Sequence, residues 1–140
     1  MIDRIHRRLP TDCVLPSELD FVSIFYDKNG YRIRVSEFAV ASPDIYEIYF
    51  GTGLLAQRSM DEGSYLSMAW TVDETDGPVG PVVLVDNSDF LGWFHEQSRG
   101  VYSKEEVKHV AVLTQNEWIE VLCLKPPEVS LLTSHLNSPS

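Results

Sequence analysis

The chain has 140 residues, 44% of them hydrophobic and 23% charged, with a formal net charge of −10. A chain of this length fits one domain and buries roughly 68% of its unfolded surface, so it needs no disulfide or metal to fold. The charge argues against a nucleic-acid partner, because phosphate affinity comes from Lys and Arg releasing counterions. No run approaches the roughly 20 apolar residues of a membrane span.

The N-terminal stretch "MIDRIHRRLPTDC" carries Arg4, Arg7 and Arg8 without the apolar run of a signal peptide behind them. Residues 1–18 read as an arm less ordered than the body, with His6 in it. Cys13 and Cys123 stand far apart, in neither a zinc spacing nor a disulfide framework. Both read as small apolar side chains in a reducing, cytoplasmic setting.

In "LDFVSIFYDKNGYRIRVSEF", two runs rich in β-formers flank a turn in which Asn29 and Gly30 can take positive φ. Tyr31, Ile33 and Val35 alternate with Arg32 and Arg34, giving one buried and one wet face. The stretch predicts a hairpin. A calcium loop built on the same "DKNG" fails, since counting back from Gly30 puts Phe25 at the first ligand position.

"IYEIYF" alternates in the same way and predicts a strand, with a second hairpin through Gly51-Thr52-Gly53. Those glycines lack the following helix that a phosphate cradle requires. Asp61-Glu62-Gly63 reads as a turn, "SYLSMAW" as a short helix or an irregular strand, and "DETDGPVGP" as a surface loop.

"VVLVD" reads as a strand buried on both faces and leads straight into "SDFLGWFHEQSRG". Asn87 or Ser88 can cap a helix there, Asp89 complements its dipole, and Gly100 is placed to end it. "HVAVLT" and "WIEVLCL" form a third hairpin across "QNE", Pro126-Pro127 stop it, and "EVSLL" can add an edge strand. The tail over 133–140 is polar and expected to fray. The predicted fold is α+β: one domain over residues 1–140, with a mostly antiparallel sheet of about six to seven strands built from hairpins and one main helix packed on one face.

No catalytic, cofactor-binding or metal-binding set assembles from this reading. His95 and Glu96 are neighbours on the helix and point about 100° apart, and Arg99 stands where a second metal ligand would be needed. There is no Gly-x-Ser-x-Gly elbow, Walker motif or dinucleotide fingerprint. Cys123 lies in an apolar run that raises a thiol's pKa. His109 opens a predicted strand. The paired acids on turns are what a soluble surface ordinarily carries.

On a helical wheel Phe90, Leu91 and Phe94 form the packed stripe, with Trp93 on one flank and His95 on the other. Asp89, Gly92, Glu96 and Arg99 face outward. A partner-binding strip of Asp89, Gly92, Trp93 and Glu96, joined by the acids Asp61 and Glu62, is the functional reading. The plain alternative is a packed helix with a solvated back.

Two blocks, "YEIYFGTGLLAQRSMDEGSYLSMAW" and "LVDNSDFLGWFHEQSRGVYSKEEVKHVAVLTQNEWIEVL", together resemble a group of small bacterial proteins without an assigned activity. The shared pattern falls on Arg58, Asp61, Glu62 and Gly63, on Ser88, Phe90, Leu91, Trp93 and Phe94, and on His109, Thr114, Asn116, Val121 and Leu122. That group is similar in size and character to immunity proteins of bacterial toxin systems. The resemblance implies no catalytic residue.

The leading expectation is therefore a non-catalytic, protein-binding domain, an immunity or antitoxin-like inhibitor of a basic toxin. The alternative is a small-ligand binder or hydrolase-type enzyme with a pocket near Arg58, Asp61, Glu62 and His109. A third reading is a homo-oligomer pairing through exposed strand edges.

Overall fold

The computed structural model describes residues 4–61, 69–103 and 106–133. Among them stand ten strands and one helix: β1 (Arg4–Arg8), β2 (Leu19–Asp27), β3 (Gly30–Glu37), β4 (Ile45–Tyr49), β5 (Leu54–Asp61), β6 (Trp70–Asp73), β7 (Val82–Asp86), α1 (Asp89–Gln97), β8 (Lys108–Leu113), β9 (Glu117–Cys123) and β10 (Glu128–Thr133). The α+β character holds. The expected single sheet is instead two, a six-stranded sheet in the order β5-β9-β8-β7-β1-β6 and a four-stranded sheet in the order β10-β4-β3-β2.

The strand alternation explains the layering. Tyr31, Ile33, Val35 and Ile48 from the smaller sheet meet Val82, Val110, Val112, Ile119 and Val121 from the larger one in a shared core. The alternate residues of β8 and β9 point to the other face of the larger sheet. There Leu122 packs with Phe90, Leu91 and Phe94 of α1. The order of layers is thus sheet, sheet, helix, and the larger sheet is covered on both faces.

That helix-side face is strongly curled. Trp70 on β6 and Trp118 on β9 touch with ring centroids 5.1 Å apart, although β8, β7 and β1 lie between their strands. At roughly 4.8 Å per strand, a flat sheet would hold those two strands about 19 Å apart. Side chains from distant strands therefore converge over the concave face.

Three local expectations are corrected. The "GTG" segment does not close a hairpin, because β4 belongs to the smaller sheet and β5 to the larger one. It is a crossover, and the β2–β3 turn docks on it: Tyr31 N–H donates to the Gly51 carbonyl at 3.0 Å. A Cβ at Gly30, which sits at φ +114°, would lie 2.5 Å from that oxygen. In the turn itself only Gly30 takes positive φ, while Asp27 Oδ1 accepts the Asn29 N–H and holds Asn29 in an Asx turn.

The third correction concerns the expected arm. Residues 4–8 form β1, an interior strand that pairs antiparallel with β7 and parallel with β6. Its buried positions are the polar Arg4 and His6, so no apolar alternation marks it as a strand. Of "SYLSMAW" only Ala69 and Trp70 lie within the described residues, and Trp70 begins β6; of the tail, only Thr133 does, as the last residue of β10. No described helix is long and apolar enough to cross a membrane.

Candidate functional site

The helix begins where the sequence places it. Ser88 takes an extended N-cap conformation and its Oγ accepts the Leu91 N–H at 2.9 Å, satisfying one orphan donor of the first turn. Asp89 stands in the first turn, and Gly100 follows the end of the helix at positive φ. The apolar stripe faces the sheet, with Phe90 buried.

Beneath this N-terminus lies a charge network drawn from strands that only the curled face brings together. Glu120, in the middle of β9, is fully buried. Its Oε1 meets Arg4 Nη1 from β1 at 2.5 Å and His109 Nε2 from β8 at 3.0 Å. Its Oε2 accepts from Arg58 Nε of β5 at 2.6 Å. Arg58 also reaches Asp89 Oδ1 at 3.2 Å and lies with its guanidinium 4.4 Å from the Phe90 ring centroid, so one side chain ties the helix to the sheet. His6 accepts from Arg4 Nε at 2.9 Å and stacks on Trp70 with centroids 5.3 Å apart.

The electrostatics follow from burial and partners. Burial opposes ionisation of Glu120, but the hydrogen bond from His109, the Arg4 charge and the hydrogen bond from Arg58 outweigh it and hold the carboxyl well below its usual range. Burial pushes His6 down to about 4, helped by the Arg4 charge and opposed by Glu120. His109 is also lowered, with burial dominant over its carboxylate partner. A neutral His109 beside an ionised Glu120 must carry its proton on Nε2. Its Nδ1 is then the acceptor for the Ser88 hydroxyl, 2.6 Å away.

Ser88, His109 and Glu120 thus line up with the residue types of an acyl-transfer triad. In this geometry the three also hold the helix in place. The His109 and Glu120 side chains are both closed to solvent. The Ser88 oxygen caps α1. The array clamps the helix N-terminus onto the sheet.

The outer strip of α1 is assembled as the wheel implies. Asp89, Gly92, Trp93 and Glu96 are all exposed. Trp93 leaves 52% of its surface open while its ring stacks on Phe90 with centroids 5.8 Å apart. Among the described residues a Cβ at Gly92 would meet nothing within 4 Å, so the ground beside the indole is open there. His95 is half-buried, and its Nε2 is closed to solvent with no hydrogen-bond partner among the described residues.

The alternative grouping of Arg58, Asp61, Glu62 and His109 is brought together only in part. Arg58 and His109 meet through Glu120. Asp61 pairs in register with Glu117, and the odd step from Arg58 along β5 turns it to the opposite face. Glu62 lies outside the described residues. Cys123 is buried, and burial pushes its thiol up to about 11. Among the described residues, no group of three His, Cys, Asp or Glu side chains could hold a metal ion.

Arg4, His6 and Glu120 escaped the sequence reading. One signal was there: Glu120 is the lone acid in the apolar run "WIEVLCL", and an acid in a two-sided buried strand needs cations from elsewhere. No family model, curated protein or solved structure matches the chain.

Proposed function

We propose that this protein is a non-catalytic binding domain of the immunity or antitoxin kind, which inhibits a basic bacterial toxin by docking it on the outer strip of α1. The observation that carries this reading is the half-open Trp93 indole, flanked on one helix face by the carboxylates of Asp89 and Glu96 and by the open ground at Gly92. A rigid aromatic anchor beside charges is the composition of an interface hot spot. The clamp of Ser88, His109, Glu120 and Arg58 fixes the helix before any partner arrives, which lowers the ordering cost of association. A net charge of −10 speeds encounter with a cationic protein and repels an anionic one. The helix residues Ser88, Phe90, Leu91, Trp93 and Phe94 follow the pattern shared with the group of small bacterial proteins that resembles immunity proteins in size and character, which agrees with this class.

The test is deletion in the native cell, followed by complementation. The deleted strain becomes sensitive to a basic toxin of its own lineage. The wild-type chain restores protection, whereas Trp93→Ala combined with Glu96→Lys does not, despite an unchanged melting temperature. A deletion strain as resistant as its parent to every toxin of that lineage overturns the reading.

A further inference from the structure

The larger sheet is split along one seam. β7 and β8 pair only from Val82 to Leu84 against Val110 to Val112. Both strands continue beyond this ladder, and each keeps its other neighbour. Val85 and Asp86 pair with His6 and Ile5 of β1, while Lys108 and His109 pair with Cys123 and Leu122 of β9. Between Val85-Asp86 and Lys108-His109 the two strand edges face each other without a register. Leu91, from the first turns of α1, closes one side of the opening.

A cavity of about 300 Å³ occupies this split. Leu84, Leu91 and Val107 supply its apolar wall. Arg7 and Asp86 form a two-point ion pair on one side, with Nε–Oδ2 at 2.5 Å and Nη2–Oδ1 at 3.2 Å, so their charges are mutually satisfied. Lys108 stands on the other side, half-buried, and its ammonium has neither an ion pair nor a hydrogen bond among the described residues. The volume lies at the lower limit for a small-molecule site. Among the described residues the lining combines peptide groups at two unladdered strand edges, one cation without an ion pair and a small apolar wall.

We propose that this split binds a small carboxylate carrying an amide and a short branched chain, an N-acyl amino acid or the C-terminal residue of a peptide. The carboxylate pairs with Lys108, the amide bridges the open strand edges as a missing ladder rung would, and the branched chain packs on Leu84, Leu91 and Val107. Each part of the ligand answers one part of the lining. The site lies in a sheet seam rather than on the outer strip of α1, so its occupancy does not depend on the docking function.

N-acetyl-valine is the probe, followed by amide chemical shifts of the full chain, with N-acetyl-valinamide as the uncharged control. Saturable shifts at Val85, Asp86, Lys108 and His109 are expected, with a dissociation constant on the order of 1 mM. Lys108→Met and the uncharged control each weaken binding about tenfold, and Lys108→Arg restores most of it, as loss and return of a single ion pair require. Lys108 is half-exposed at a strand end, so these variants retain the wild-type spectrum elsewhere. The absence of saturable shifts, equal binding of the neutral analogue, or shifts clustered away from the seam each overturns the proposal.

Discussion

Glu120 Oε1 lies 3.0 Å from His109 Nε2, both side chains are closed to solvent, and the same carboxylate also neutralises Arg4 and Arg58. One acid thereby serves three strands besides its own. Removing it leaves the Arg4 guanidinium buried, already with one nitrogen lacking a partner, and no counter-charge among the described residues. Glu120→Ala is expected to destabilise the fold by about 3–5 kcal/mol in urea denaturation. Replacing Glu120 and Arg4 together by Met removes the stranded charge and recovers most of that loss. Equal losses in the single and double variants would show that the network contributes by shape rather than by charge.

The same network makes the protein acid-sensitive. His6 stays neutral in the folded state down to about pH 4, whereas in the unfolded chain it takes up its proton near pH 6.5. Between those values the unfolded state binds more protons, so stability falls as pH falls and is fully present only above about 6.5. For His6 alone the loss on reaching pH 4 is on the order of 3 kcal/mol. The lowered His109 acts in the same direction, and depressed Glu120 adds a further loss as pH drops below the usual carboxylate range. His6→Gln keeps an acceptor for Arg4 and removes the titration, so its urea midpoint should vary less between pH 6.5 and 4 than that of the wild type. Parallel curves for the two proteins would place the acid sensitivity elsewhere.

Ser88 joins the clamp to the helix through one oxygen. Ser88→Ala removes the cap on Leu91, worth about 1 kcal/mol, and strands His109 Nδ1, worth about 1–3 kcal/mol more. The loss should be concentrated in α1 and read out as faster amide exchange at Leu91 and its neighbours. Ser88→Asn can cap with its oxygen and donate to His109 with its nitrogen, and is expected to recover more than half of the protection. If Asn rescues nothing, the hydroxyl's two bonds do not account for the anchoring.

These elements differ in how far the sequence discloses them. Ser88, Asp89 and Gly100 mark the helix because caps are local, and the Asp27–Gly30 turn is legible for the same reason. The Gly51-Thr52-Gly53 crossover is not, because alternation and turn glycines say where a strand ends and not which sheet receives the next one. The charge network is the extreme case. Arg4 and Glu120 are 116 positions apart and meet only across a curled sheet. Charged residues near a terminus look solvated until that curvature is known, and Arg4 and His6 were read that way.

Gly92 separates the two roles of α1. A glycine inside a helix costs about 1 kcal/mol relative to Ala, and here a Cβ would meet nothing within 4 Å among the described residues. Gly92→Ala should therefore raise stability by about 1 kcal/mol, seen as a higher urea midpoint with an unchanged slope. The open ground beside Trp93 would be filled by the new methyl group. If a toxin backbone rests there, the same variant protects the cell less well although it is more stable, a combination that loss of folding cannot produce. A variant that is more stable and fully protective would remove Gly92 from the docking strip and leave the contact to Asp89, Trp93 and Glu96. A variant that is less stable would mean that the helix relies on glycine at this position for a reason other than space.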